Sequence, residues 1–119
     1  MKAKKWDTII SNCEGLYFER LTERGKGVFE VVDHLGNNFE VILDDLGPYM
    51  ILEEKWLNHG VSVDEIGWTY VVEGGGFPKL FADWVLEEAP YVHYVVITYD
   101  MCLEILASRP PIIKPMNLG

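Results

Sequence analysis

The sequence predicts one α+β domain over residues 1–119, with an antiparallel sheet of five or six strands and two or three helices. Two observations carry this prediction. Three short runs rich in β-branched and aromatic residues follow one another with turn residues between them, and apolar residues recur at helical spacing elsewhere. The length of 119 residues suffices for a single hydrophobic core, and no linker-like segment divides the chain.

The three strand-like runs predict the N-terminal part of the sheet. They cover Leu16–Leu21, Val28–Asp33 and Phe39–Leu43, and residues that favour turns, glycine and asparagine among them, separate them. Three strands joined by short turns form an antiparallel meander. In the third run the apolar residues alternate with Glu40 and Asp44, which predicts one face toward the core and the other toward water.

Helical patterns occur at three places. Apolar residues at helical spacing predict a short amphipathic helix over residues 3–13 and a longer one over residues 77–89. Acids at the start, His59 at the end and Gly60 after it predict another helix of about two turns over residues 53–59. The sequence Ser62-Val63-Asp64-Glu65 matches a capping box and predicts one further helical turn.

The C-terminal half adds more strands. Residues 68–72 alternate as a strand does, and the apolar run over residues 91–98 predicts the central strand of the sheet. Residues 102–107 fit a helix or a strand, and we favour a strand that turns back at 98–101. From Arg109 onward, two prolines predict an extended tail.

Charge is the unusual feature of the composition. The chain contains ten Lys and Arg residues and nineteen Asp and Glu residues, which gives a net charge of −9. Such a balance argues against binding to nucleic acid or to an anionic membrane surface, because both need basic patches. The imbalance is concentrated in residues 27–78, where Lys55 is the single base among ten acids. An acidic surface of this kind suits a basic protein partner, although simple solubility is the competing explanation.

No motif in the sequence predicts catalysis or cofactor binding. The glycines at 74–76 lack the lysine and hydroxyl residue of a phosphate-binding loop, and Glu73 would repel a phosphate. The histidines His34, His59 and His93 lack the close spacing of metal ligands. We therefore expect no cofactor, no metal site and no enzymatic activity.

One pair of residues could form a nucleophilic site. If residues 98–101 turn, His93 and Cys102 lie on neighbouring strands, and Glu104 could orient the histidine. The negative surroundings would raise the pKa of such a thiol and reduce its reactivity, so we expect packed core residues instead.

The compartment is predicted to be the cytoplasm. The basic segment Lys2–Lys5 is not followed by the apolar stretch of a secretory signal, and no apolar run approaches membrane-spanning length. Cys13 and Cys102 are expected to be reduced thiols, with a disulfide between them as the open alternative.

From these observations we expect a non-enzymatic acidic binding protein that neutralises a basic protein. Its most concrete form is an immunity protein or antitoxin that occludes the active cleft of a bacterial nuclease toxin. The alternative is a small-molecule-binding or enzymatic domain with a pocket between sheet and helices. The predicted partner-binding residues are the acidic Glu40, Asp44, Asp45, Glu53, Glu54, Asp64 and Glu65 and the aromatic Tyr49 and Trp56.

Overall fold

The computed structural model describes residues 2–22, 27–43, 49–53, 62–74 and 91–116. Within these ranges the chain forms nine strands and one short helix. The strands are β1 Lys2–Lys5, β2 Leu16–Thr22, β3 Val28–Asp33, β4 Asn38–Ile42, β5 Tyr49–Glu53, β6 Thr69–Glu73, β7 Val92–Ile97, β8 Met101–Ala107 and β9 Ile112–Pro115, and the helix is α1 Val63–Ile66.

The strands form two antiparallel sheets. The first has five strands in the order β1-β6-β7-β8-β5, and the second has four in the order β2-β3-β4-β9. One cluster of buried apolar side chains contains residues of both sheets. Its members include Phe29, Val31 and Val41 from the second sheet and Val96, Leu103 and Ile105 from the first. Burial of this apolar area supplies the main driving force for folding.

The predicted α+β class with two or three helices is wrong. In the part of the chain that the structure describes, strands predominate and α1 is a single turn of four residues. The predicted helix over residues 77–89 lies outside the described residues, as do residues 54–59 of the predicted second helix, while Glu53 ends β5.

The tail after Arg109 is extended, as predicted, and its residues 112–115 pair with β4 as an edge strand. Proline at the end of this strand fits an edge position, where one backbone face needs no partner.

The N-terminal helix predicted over residues 3–13 is also wrong. Residues 2–5 form β1 at the edge of the first sheet, with Ala3 opposite Val72. Beyond this strand the backbone makes only tight turns, in which the amide of Ser11 donates to the carbonyl of Thr8. Thr8 and Ser11 also bond to backbone groups through their hydroxyls, and such bonds compete with those of a helix.

Most predicted strands are confirmed. β2, β3 and β4 form the antiparallel meander, and the strand predicted over residues 68–72 is β6 with a shift of one residue. The apolar run over residues 91–98 forms β7, the middle strand of its sheet, and residues 101–107 pair with it as β8. His93 to Ile97 and Cys102 to Ala107 are all buried, so both faces of this central hairpin are covered.

The turn between β7 and β8 joins the two sheets. The amide of Tyr99 donates to the carbonyl of Leu16 at 2.9 Å, and the amide of Phe18 donates to the carboxylate of Asp100 at 3.1 Å. Leu16 and Phe18 both belong to β2, the edge strand of the second sheet. The turn is therefore held in a fixed position between the sheets.

Candidate functional site

A cleft of about 560 Å³ opens where three segments meet. The segments are the N-terminal loop over residues 6–15, the helix α1 with the residues that follow it, and the turn between β7 and β8. We refer to this space as the cleft. Its lining residues are Lys5, Ser11, Asn12, Cys13, Glu14, Val63, Asp64, Glu65, Gly67, Trp68, Ile97, Thr98 and Tyr99.

The N-terminal loop is anchored from within by a cluster of hydroxyl groups. The buried side chains of Ser11 and Thr69 both donate to the carbonyl oxygen of Trp6, at 2.9 and 2.6 Å. Their two hydroxyl oxygens lie 2.8 Å apart, and the hydroxyl of Thr8 lies 3.1 Å from each of them. Because these hydroxyl groups satisfy one another, the side chains of Ser11 and Thr69 are buried at little cost.

Helix α1 is positioned by its two ends. At the start, the hydroxyl of Ser62 accepts a hydrogen bond from the amide of Asp64, which confirms the predicted helical turn. At the end, Gly67 has a φ of 89°, and a Cβ there would lie 2.6 Å from the carbonyl oxygen of Ser11. The amide of Trp68 donates to that same oxygen at 3.0 Å. Glycine at 67 thus lets the helix approach the N-terminal loop.

Two aromatic rings, those of Trp68 and Tyr99, line the cleft on the side of the β7–β8 turn. The ring of Tyr99 also contacts Tyr17 outside the lining, and its centroid lies 5.0 Å from that of Trp68 and 4.9 Å from that of Tyr17. Trp68 is buried, and its indole nitrogen donates to the carbonyl oxygen of Cys13 at 2.8 Å. Tyr99 is 54% exposed and Tyr17 is 42% exposed. The cleft therefore presents an accessible aromatic ring whose position is fixed by its neighbours.

Negative charge predominates around the cleft. Glu14, Asp64 and Glu65 are exposed, and none of them forms an ion pair with another described residue. The basic residue among the lining residues is Lys5, whose ammonium group lies 3.6 Å from the carboxylate of Asp7 and 3.4 Å from the side-chain oxygen of Asn12. The cleft thus carries three carboxylates against one partly neutralised amine.

The thiol in the cleft is not an activated nucleophile. Burial, together with the negative charge of Asp33, raises the pKa of the Cys13 thiol above its ordinary value. A thiol with a raised pKa is protonated at neutral pH, whereas nucleophilic attack needs the thiolate. Cys13 and Cys102 are both free thiols in the structure.

Two of the predicted partner-binding residues line the cleft, and the other predicted residues that the structure describes do not. Asp64 and Glu65 line it, whereas Glu53 is exposed at the end of β5 and Tyr49 is half-buried against the core. Glu40 is half-buried on β4. Asp44, Asp45, Glu54 and Trp56 lie outside the described residues.

On the meander, two acidic residues of the segment 27–78 each pair with a basic residue from outside that segment. The register places Arg20, Glu30, Glu40 and Lys114 side by side on four adjacent strands. Arg20 lies 3.2 Å from the carboxylate of Glu30, and Lys114 lies 3.9 Å from that of Glu40. The two bases come from β2 and β9, and β9 lies outside the acidic segment of the sequence. Glu40 is therefore not an unpaired acid on this face.

Glu14 and Tyr99 were not among the predicted site residues. Tyr99 could have been identified in part, because the sequence places this aromatic residue in the predicted turn at 98–101, where it cannot pack inside a strand. Nothing in the sequence indicated that Glu14 belongs to a site, since the segment before Gly15 was expected to be helical. Only the folded chain places these two residues beside Asp64 and Glu65.

The second candidate group, His93, Cys102 and Glu104, lies in the interior. The predicted turn places His93 and Glu104 on paired strands, with the imidazole Nε2 2.8 Å from a carboxylate oxygen. All three residues are buried, as expected of core residues. Burial and the nearby groups of Cys102 and Glu104 also raise the pKa of Tyr70 far above its ordinary value.

Comparison of the chain with protein-family models, with curated protein sequences and with solved structures gave no match. In the described ranges, no helix has the length and apolar character needed to cross a membrane. The same ranges contain no group of three or more His, Cys, Asp or Glu side chains that could hold a metal ion.

Proposed function

We propose that this chain is a non-enzymatic binding protein whose cleft receives a basic surface of a protein partner. The observation that carries the proposal is the set of carboxylates around the cleft, Glu14, Asp64 and Glu65, without ion-pair partners among the described residues. Neighbouring like charges repel one another in the free protein, and a cationic partner would relieve that repulsion.

Three carboxylates away from the cleft are paired, unlike those that line it. Glu30, Glu40 and Glu73 each lie within 4 Å of a basic side chain: Arg20, Lys114 and Lys4, respectively. Those carboxylates are largely neutralised at close range, so their contribution to the field at a distance is small. The carboxylates at the cleft remain available to attract a partner and to raise the rate of association.

The most concrete form of this proposal is an immunity protein or antitoxin that acts in the cytoplasm on a bacterial nuclease toxin. A nuclease must present basic residues to the phosphates of its substrate. Carboxylates on a small acidic protein can occupy the same basic residues and so block access to the active cleft. The net charge of −9 and the length of 119 residues suit such an inhibitor.

Capture of partners from lysate of the source cells tests the proposal. Wild-type protein is compared with Glu65→Lys at the cleft and with Glu19→Lys, an exposed position on β2 that does not line the cleft. The two variants change the net charge equally. We expect the wild type and Glu19→Lys to retain the same basic protein, and Glu65→Lys to lose it.

Kinetics with the purified partner provide the second measurement. Glu65→Lys should lower the association rate by about tenfold at low salt, and Glu19→Lys by less than about twofold. Rising salt should reduce the difference between the variants, because ions screen exposed charges. Equal effects of the two substitutions, or a captured partner that is acidic, would refute the proposal.

The volume of the cleft favours a second candidate function. About 560 Å³ lies within the range of pockets that bind small molecules, and the lining combines aromatic and polar groups. A thermal-shift screen of metabolites distinguishes the two functions, since a tight ligand raises the unfolding temperature by mass action. A ligand whose effect is abolished by a substitution at Trp68 or Tyr99 would favour this candidate over the protein-binding one.

A further inference from the structure

We infer that the cleft selects arginine over lysine side chains of the basic partner, through the exposed ring of Tyr99 and the carboxylates of Asp64 and Glu65, which line the same cleft. This inference rests on the proposed function and names the chemical group that the cleft recognises. Charge alone does not distinguish the two basic side chains, so the selection must come from the shape and composition of the cleft.

The aromatic component of the site is accessible and fixed in place. Tyr99 is 54% exposed, while its ring contacts those of Trp68 and Tyr17 at centroid distances of 5.0 and 4.9 Å. Its backbone amide is bonded to Leu16, and the next residue, Asp100, accepts from the amide of Phe18. A ring held this firmly loses little conformational entropy when a ligand packs against it.

The acidic component lies on another segment that lines the same cleft. Asp64 and Glu65 belong to α1, which is held by its Ser62 cap and by the close approach of Gly67 to the N-terminal loop. Both carboxylates are exposed and retain their hydrogen-bonding capacity for a ligand. The cleft therefore combines an aromatic wall with an acidic wall, each fixed by its own contacts.

This combination suits a guanidinium group better than an ammonium group. The guanidinium is planar, stacks on aromatic rings and donates two parallel hydrogen bonds to a carboxylate. The ammonium of lysine is a compact and strongly hydrated charge that gains less from the aromatic face. Arginine can engage both walls of the cleft at once, whereas lysine is held chiefly by charge.

Calorimetric titration with two peptides tests the inference. Octa-arginine and octa-lysine carry the same charge and are titrated into wild-type protein, Tyr99→Phe and Tyr99→Leu. We expect the wild type to bind octa-arginine about three- to tenfold more tightly. Tyr99→Phe, which keeps an aromatic ring, should retain the preference, and Tyr99→Leu should reduce it to less than about twofold.

A matched pair of neutralising substitutions shows whether the peptides bind at the cleft. Glu65→Gln should weaken both peptides to a similar extent, and Glu19→Gln on β2 should have little effect. Thermal unfolding of each variant verifies that the fold is intact. Because the wild type itself must prefer arginine, the inference is tested even if Tyr99→Leu fails to fold.

The outcomes separate this inference from the proposed function. Equal affinity of the wild type for the two peptides, or a preference that survives Tyr99→Leu, would overturn the selection of arginine and leave the acidic binding surface standing. Equal effects of Glu65→Gln and Glu19→Gln would mean that the peptides do not use the cleft, which would overturn the inference and count against the proposed site.

Discussion

The imidazole Nε2 of His93 lies 2.8 Å from the carboxylate of Glu104, on adjacent strands in the interior of the first sheet. Their side chains are only 2% and 6% exposed. A buried polar pair of this kind is costly to break, because removal of one partner leaves the other in a medium that solvates it poorly. The pair therefore helps to fix the register between β7 and β8.

Single substitutions in this pair should destabilise the protein strongly. We expect His93→Leu or Glu104→Leu to lower the free energy of unfolding by about 3–5 kcal/mol, as found when one partner of a buried pair is removed. The double substitution should cost less than the sum of the two, since each single substitution already removes the same hydrogen bond. Urea unfolding of the four proteins measures the coupling, and strict additivity would show that the pair contributes no joint stabilisation.

A side chain at residue 67 should disturb the contact between α1 and the N-terminal loop. Gly67→Ala would place a Cβ 2.6 Å from the carbonyl oxygen of Ser11, at a φ of 89°. Gly36 has a similar φ of 86° with open space around it, so Gly36→Ala is the matched control. We expect the control to cost about 1–2 kcal/mol from backbone strain and Gly67→Ala to cost about 1–3 kcal/mol more from the clash.

Chemical denaturation of the two glycine variants gives this difference directly. Partner binding by Gly67→Ala should also weaken, because the carboxylates of α1 would move relative to Tyr99. Similar losses of stability in both variants would contradict the close approach between Gly67 and Ser11.

The row of ion pairs on the second sheet should respond to a reversed charge at its end. Lys114→Glu places an acidic side chain opposite Glu40, whose other neighbour across the sheet is Glu30. We expect a loss of about 1 kcal/mol at low ionic strength, a modest value because Lys114 is largely exposed. Most of this loss should disappear in 1 M salt, where charges are screened within about 3 Å.

Arg109→Glu is the control for that measurement. It makes the same change in net charge at an exposed residue outside the strands, and its unfolding temperature should remain close to that of the wild type. A salt-independent loss in Lys114→Glu would point to lost packing of the lysine chain rather than to charge.

The turn between β3 and β4 should contribute to acid sensitivity through Asp33. The hydrogen bond from the Asn37 side chain, aided by the backbone amides of Asn37 and Leu35, holds the pKa of Asp33 below its ordinary value. Because the folded pKa is lowered, this stabilisation is fully present above the ordinary pKa of about 3.9 and is lost as the pH falls through the folded value.

Thermal unfolding between pH 7 and pH 2.5 tests this dependence. Asp33→Asn should unfold at a lower temperature than the wild type at neutral pH, because it loses the charged acceptor. The difference should narrow below about pH 4, where the wild-type carboxylate becomes protonated. A constant difference in unfolding temperature over the whole pH range would show that the ionised form of Asp33 adds nothing to stability.

Local pattern was sufficient to predict most strands. β-branched and aromatic runs predicted β2, β3, β4, β6, β7 and β8, and Ser62 with Glu65 predicted α1. The N-terminal helix failed because apolar spacing over residues 3–13 is compatible with a helix, whereas an available edge of β6 offers Lys2–Lys5 better backbone partners. Edge pairing depends on which strands are neighbours in space, and spacing within one segment carries no such information.

The candidate site was predicted only in part. Asp64 and Glu65 were singled out for their charge, and they line the cleft. Glu14 and Tyr99 join them only because the N-terminal loop and the β7–β8 turn converge on α1. Residues 14 and 99 are far apart in sequence, and their meeting is a property of the assembled sheets.

The sequence by itself determined the strand-forming runs, the turns between them and the overall excess of negative charge. These features depend on side-chain shape, on periodicity and on composition, all of which are local or additive. The tertiary structure alone decided which charges are neutralised. It brings Lys4, Arg20 and Lys114 to within 4 Å of Glu73, Glu30 and Glu40, because strand pairing joins segments that are distant along the chain. Folding therefore also decides that Glu14, Asp64 and Glu65 line one cleft without a basic partner among the described residues. The energy of each charge depends on its neighbours in space.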